Sequence, residues 1–445
     1  MSFPISLATP IRFPGPLPAA ADVVVLGGGI IGVMTALYLA QAGQKVVLCE
    51  KGRIAAEQSS RNWGWIRQQG RDKDELPIVV ESLRLWQGFA QTFGDALGFS
   101  QAGVIYLANT DAALEEYEAF LPHAQANGVD TRMLARCEIA TMLGSSAAWR
   151  GAMMTPSDAR AEPWAAVPLL AGLAAEAGVC IVEHCAIRAL DVQAGAVAGV
   201  ITEQGRVRAA RVVVAAGAWS RLFLAAHGVA IPQLSVLASV AQTEPMPQIF
   251  AGGATDSHFA FRRRMDGGYT LAPGGEHDFF IGPDAFRSFA HYLPVLKKDF
   301  RSTHFRAMAP KGYPDAWRTP RRWGDGASPF EATRILNPAP NMASLGQVQD
   351  RFAAAFPTLG RPKIKSAWAG MIDTMPDVVP VVDHAAISGL TIATGMSGHG
   401  FGIGPGMGRV VADLVMGRAT GHDLTRFRLS RFSDGTAPQV GPALA

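Results

Sequence analysis

The chain has 445 residues, 49% hydrophobic and 17% charged, which predicts a globular protein of two or three domains' worth of structure and excludes a disordered one. Its 48 glycines and 29 prolines follow no G-X-Y period, and its net charge of +3 is spread without a basic run of five or more, so neither a collagen-like chain nor nucleic-acid binding is expected. Cys49, Cys137, Cys180 and Cys185 form no C-x-x-C pair and no His/Cys cluster has metal spacing, which reads as reduced thiols in a cytoplasmic protein without a metal.

Residues 1–19 are proline-rich with one charged side chain, Arg12; they lack the basic start and apolar run of a secretory signal and are expected to form a surface arm. Val23 to Ala40 has no charged residue and is long enough to be weighed as a membrane span. Gly27, Gly28, Gly29 and Gly32 in its first half suit strand, turn and helix better. Ala21 to Leu26 is a β-branched run that predicts a buried parallel strand. Gly27-x-Gly29-x-x-Gly32 follows, then a helix closing at Gly43, then a second strand ending on Glu50. In such a unit Gly27 permits the tight turn, Gly29 lets a pyrophosphate approach the backbone, and Gly32 lets helix pack on strand. The helix start at Ile30 and Ile31 offers free N–H groups to phosphate, and Glu50 can accept from ribose hydroxyls. An acid at that place favours FAD or NAD over NADP.

Beyond Glu50 the chain runs KGRIAAEQSSRNWGWIRQQGRD, a polar, glycine-punctuated loop. Helices are expected over Leu76 to Phe93, Asp111 to Asn127 and Trp164 to Ala177, and a strand-rich stretch over Val179 to Leu190. GGYTLAPGG, with Tyr269 and Thr270, reads as a hairpin strand. Residues 310–340 lack periodicity and are expected to form a lid or a partner contact. From Gly398 to Gly406 glycine alternates, which predicts a bare backbone able to lie against a flat ring, followed by an amphipathic helix through GMGRVVADLVMG. The tail after Phe432 is expected to be unstructured.

Several blocks resemble the D-amino-acid oxidase and sarcosine oxidase family. They are the loop after Glu50, RVVVAAGAWS (Arg211 to Ser220), AGMIDTMPDVVPVVD (Ala369 to Asp383) and SGHGFGIGPGMG (Ser397 to Gly408), in the family's order. The resemblance implies an α/β chain: a Rossmann-type FAD-binding domain over 20–75, 150–225 and 365–425, with a discontinuous α+β substrate domain built on a mostly antiparallel sheet over 76–149 and 226–364. Residues 1–19 and 430–445 would be terminal arms. It implies FAD contacts at Lys51, Ser59, Ser60, Arg61, Asn62, Trp63 and Gly64, at Ile187 beside adenine, at Ala215, Ala216, Gly217 and Trp219, at Gly370 and Asp377, and at Gly398, His399, Gly400, Phe401, Gly402 and Ile403. The activity implied is oxidation of the carbon–nitrogen bond of a small carboxylate-bearing amine, with oxygen or a quinone as electron acceptor, in a homo- or hetero-oligomer that could sit peripherally on a membrane. A 2-hydroxy acid as substrate, a flavin subunit of a hetero-oligomeric amine or opine dehydrogenase, and a nicotinamide dehydrogenase are the competing readings.

Such chemistry asks for a cation to hold the substrate carboxylate, preferably arginine with its planar fork. Arg67 in GWIRQQG resembles the family's carboxylate-binding arginine beside the flavin. Arg262 and Arg264 in FRRRMDGGY share one strand face and are the next candidates, against the plainer reading of a solvated strand. Arg321 and Arg322 are weaker. His399 reads as a cofactor-positioning residue first and a proton acceptor second. Tyr269 is a candidate hydrogen-bond donor to carboxylate whose default is packing. Trp63 and Trp65 either wall the site or lie between domains. Two positions depart from the sarcosine oxidase pattern. Gly402 stands where those enzymes carry a carboxylate-binding lysine, which predicts open space for a larger substrate. Gly370 stands where they carry the cysteine that tethers flavin, which predicts non-covalent FAD.

Overall fold

The computed structural model describes residues 4–145, 147–298, 303–324, 326–437 and 439–441. The strand Val23–Leu26 lies inside a six-stranded sheet, with Arg211–Val214 on one side and Val46–Cys49 on the other, all parallel. The full order is Val381–His384, Leu390–Thr394, Arg211–Val214, Val23–Leu26, Val46–Cys49, Cys180–Val182. Only the edge strand Val381–His384 runs antiparallel. The three valines of the central strand are fully buried, as a strand covered on both faces requires.

The helix Ile30–Gln41 leaves this sheet and is apolar almost all round. It ends where the Gln44 N–H bonds Leu39 O and the Gly43 N–H bonds Ala40 O, a paired closure that satisfies the last carbonyls. The membrane alternative ends here: among the described residues no helix is long and apolar enough to cross a bilayer.

The helix expected through GMGRVVADLVMG starts earlier, as Gly400–Val415, inside the alternating glycines of Gly398 to Gly406. Its glycines serve close packing. A Cβ on Gly404 would collide with Ile30, one on Gly408 with Met34, and one on Gly406 would reach the Ile78 carbonyl at 2.7 Å. Thus the helix beds against both Ile30–Gln41 and Leu76–Phe93.

The larger sheet has ten strands, mostly antiparallel. Its longest pairing joins Leu234–Thr243 to Ile364–Thr374, from Leu234 opposite Thr374 to Thr243 opposite Ile364. Strand Ile364–Thr374 therefore belongs to this sheet, although most of it falls in the range expected to bind flavin. Gly253–Thr255 with Val104–Ala108, and His277–Phe280 with Thr303–Arg306, are its parallel pairs.

The expected helices appear at Leu76–Phe93, Asp111–Ala126 and Pro163–Glu176. Val179 to Leu190 divides into two strands, Cys180–Val182 and Ile187–Gln193. The irregular residues 310–340 are packed: Tyr313, Ala316, Phe330 and Leu336 are buried in the core on the six-stranded sheet. The amino-terminal arm is fastened as well. Glu183 accepts the Arg12 and Phe13 amides on one oxygen and the Ile54 amide on the other, and Arg53 Nε donates to Thr9 O. Beyond Phe432 the described residues form no helix or strand.

Candidate functional site

A long cavity runs from the carboxyl ends of the central parallel strands to the start of helix Gly400–Val415 and the face of the larger sheet. At its first end Gly27 leaves the strand at φ +111, and a side chain there would strike the Ala215 carbonyl. A Cβ on Gly29 would meet only Ser59 Oγ, at 3.1 Å, with no other heavy atom within 4 Å. Glu50 accepts the Gly28 N–H at 2.8 Å on one oxygen and the Gly52 N–H at 2.7 Å on the other. Each carboxylate oxygen keeps a second acceptor site. Burial pushes this carboxyl up to about 7, against the pull of Lys51 and the two amides. A bare phosphate-sized cradle at a helix start, beside a buried acid with spare acceptors, fits the pyrophosphate and ribose of a dinucleotide.

The wall beside Glu50 comes from Cys49, Cys185, Ile187 and Phe330. Lys51 stacks over the Trp219 ring at 4.2 Å and donates to Glu57 at 2.7 Å and to Thr333 O. Glu57 also accepts from Trp219 Nε1 and the Leu336 amide. This knot ties the irregular 310–340 segment down over the cavity. Farther along, Arg61 donates to Ala56 O, Asn337 Oδ1 and Ala369 O, and burial lowers its pKa. Asn62 holds its own turn through Gln58 O, Ser59 O and the Gly64 amide.

The other end gathers Trp65, Arg67, Arg71 and His399. Arg67 is 8% exposed and its guanidinium sits 5.4 Å from the Trp65 ring centre and 5.2 Å from that of Tyr106. Burial holds it well below the usual arginine range, and the charge of Arg71 adds to that. His399 Nε2 lies 2.9 Å from Glu75 Oε1, and burial outweighs Glu75 to lower the imidazole pKa. Burial thus disfavours the charged ring; with Nε2–H donated to Glu75, Nδ1 is the remaining acceptor of the neutral form. Behind Arg67, Asp158 accepts the Gln68 and Gln69 amides, and burial pushes it up to about 7.

Most of the expected residues line this one cavity: Gly27, Gly29, Ile30, Ile31, Glu50, Lys51, Ser59, Arg61, Asn62, Trp63, Arg67, Ile187, Ala215, Ala216, Gly217, Trp219, Gly370, Gly398, His399, Gly400, Phe401, Gly402 and Ile403. Gly32, Ser60, Gly64 and Asp377 lie outside its wall. A Cβ on Gly32 would strike the Gly27 carbonyl and one on Gly64 the Ala161 carbonyl, so both are packing positions. Ser60 is buried away from it, and Asp377 pairs with Arg431 and Arg426.

The strand arginines are placed elsewhere. Arg262 forms a buried fork with Glu162 at 3.1 and 2.9 Å, and Arg264 pairs with Asp266 while covering Trp164. Tyr269 is fully buried, its hydroxyl accepting from the Ile249 amide at 2.7 Å. None of the three lines the cavity. Arg321 is taken by Asp284 and Asp315. Nor is there open space at Gly402: a Cβ would meet Ile66 Cα and the Trp65 carbonyl at 3.2 Å. Arg71, Glu75, Glu57, Gln58 and Asp373 were not singled out from sequence. All but Glu75 lie within the blocks that resemble the family, yet only their surroundings in the fold mark them individually.

Residues 22–414 match the model of the FAD dependent oxidoreductase (DAO) family. The sarcosine oxidase subunit beta of Rhizobium meliloti (strain 1021) is 25% identical over 434 residues, covering 95% of this chain and 91% of that protein. The mitochondrial dimethylglycine dehydrogenase of Mus musculus is 24% identical over 433 residues, 96% of this chain but 46% of that protein. The chain thus spans about half the length of that dehydrogenase. Among solved structures, L-amino acid deaminase from Proteus myxofaciens in complex with anthranilate superimposes with a TM-score of 0.90 at 30% identity, covering 96% and 97% of the two chains.

Proposed function

Because the chain belongs to the FAD-dependent oxidoreductase family, we propose that this FAD-dependent enzyme oxidises the carbon–nitrogen bond of a small carboxylate-bearing amine, an amino acid or an N-substituted amino acid. The observation that carries this reading is the buried Arg67 at the same cavity end as a buried His399 bonded to Glu75. Bound FAD supplies the two-electron acceptor for the substrate carbon's hydride. The protein's residues bind, orient and deprotonate. Arg67 holds the carboxylate through its fork. His399, oriented by Glu75, takes the ammonium proton at Nδ1, and the amine must be neutral before its carbon gives up hydride. Trp65 and Phe401 wall the site with apolar surface, which favours the neutral amine.

In this reading 20–75, 150–225 and 365–425 hold FAD, apart from strands Gly151–Thr155 and Ile364–Thr374, which belong to the larger sheet that carries the substrate side. FAD is held without a covalent bond at Gly370. The cysteines on the cavity wall, Cys49 and Cys185, stand at the opposite end beside Glu50. One of the relatives is by name a subunit, which supports assembly with a partner.

The test is anaerobic reduction of the purified yellow protein against D-, L- and N-substituted amino acids and 2-hydroxy acids. Bleaching by amino acids and not by hydroxy acids supports the proposal; the reverse overturns it. Peroxide release then distinguishes oxygen from a quinone as acceptor.

A further inference from the structure

Seven arginines are nine-tenths or more buried, and Arg71 stands apart among them. Arg53, Arg61, Arg262, Arg264 and Arg431 each donate to carbonyl or carboxylate oxygens of the chain. Arg71 is 5% exposed and makes no hydrogen bond or ion pair within 4.0 Å among the described residues, and its Nε is buried without a partner. Glu75, Asp158 and Asp72 act on it only through their charge at longer range. A buried guanidinium left without an acceptor is costly, so folds retain one where a ligand completes it.

Arg71 also lines the cavity, at the end occupied by Arg67 and His399. Gly70, at φ +64, turns the chain between the two arginines, so residues four apart on an irregular loop reach one place. Their mutual repulsion disfavours leaving both there with only protein around them. Glu75 spends Oε1 on His399. A ligand carboxylate would give the Arg71 fork the acceptor that the described residues do not supply.

We propose that Arg71 is the second arm of the substrate-carboxylate clamp, so that one carboxylate is gripped by both Arg67 and Arg71. This rests on the reading of the substrate as carboxylate-bearing. It assigns to Arg71 the second cation that Gly402 does not provide. It also sets a specificity: amines lacking the carboxylate, or carrying it as an amide, are rejected because the buried Arg71 fork would lack its acceptor.

The test is calorimetric binding of redox-inert acetate and benzoate, each against its amide, to FAD-loaded protein, with FAD content and Tm measured in parallel. The wild-type chain is expected to prefer carboxylate over amide by tenfold or more. Arg71→Gln is expected to cut that preference at least tenfold with FAD content unchanged, and Arg71→Lys to cut it less, since charge remains and the fork is lost. An unchanged preference in Arg71→Gln, while Arg67→Gln loses it, overturns the clamp and leaves the substrate class standing. Should Arg71→Gln fail to fold, Arg71→Lys decides, and an unchanged preference there overturns the clamp. A wild-type chain indifferent to carboxylate against amide overturns the substrate class as well.

Discussion

The Ser82 hydroxyl donates to the Gly402 carbonyl at 2.8 Å and accepts the Gly406 N–H at 3.1 Å. An uninterrupted helix would pair those two groups with each other. A side chain of Leu76–Phe93 is thus inserted into the backbone ladder of Gly400–Val415, next to Pro405, on the turn that lines the cavity. Trp86 Nε1 supports the same carbonyl at 3.0 Å.

Ser82→Ala leaves the Gly406 N–H buried without its acceptor. The expected cost is about 1–3 kcal/mol, read by denaturant unfolding. Gly402 sits on the cavity wall, so the flavin absorption bands are also expected to move. An alanine variant with unaltered stability and spectrum would contradict this account of the helix.

Gly404 tests the close packing of helix Gly400–Val415. A methyl there meets the Ile30 side chain, and overpacking costs about 1–3 kcal/mol. Gly404→Ala is expected to unfold at lower denaturant. Combining it with Ile30→Ala should recover part of the loss, because the colliding atoms are removed. Simple additivity of the two changes would show that they do not share a contact.

Glu50 makes FAD binding depend on pH. Its carboxyl is raised from 4.5 to about 7 in the folded chain, so the fold favours the protonated form. The stability it contributes to the FAD-free protein is fully present below pH 4.5 and is lost as pH rises through about 7. Ribose hydroxyls prefer the ionised acceptor, so FAD affinity follows the opposite slope. Reconstitution titrations should give roughly tenfold weaker FAD binding at pH 6 than at pH 8. Glu50→Gln should bind weakly at both. Equal wild-type affinity at the two pH values counts against the ribose role.

His399 reports on Glu75. Burial lowers the imidazole pKa and Glu75 partly opposes it. Removing that charge in Glu75→Gln should lower the pKa further, so the ring stays neutral to lower pH. Nitrogen NMR of labelled histidine is the direct measurement, and the acidic limb of kcat/KM should move the same way. A limb that moves to higher pH would remove His399 from the role of proton acceptor.

The sequence alone determined whatever rests on neighbours along the chain. Gly27, Gly29, Gly32 and Glu50 lie within one strand–helix–strand unit, and helix Leu76–Phe93 follows from its own apolar spacing, so both were legible. The tertiary structure decided which partner each polar group would meet. Period two put Arg262 and Arg264 on one face, but Glu162, a hundred positions away, turned Arg262 from a ligand candidate into a buried ion pair. Alternating glycines marked a bare backbone, but only Ile30, Met34 and Ile78 showed that it is a helix packed against two others. Arg71 carried no local signature at all, because an unsatisfied charge is defined by what the fold fails to bring near it. Local periodicity fixes the direction of a side chain relative to its own backbone, whereas burial and pairing depend on chain segments hundreds of residues apart.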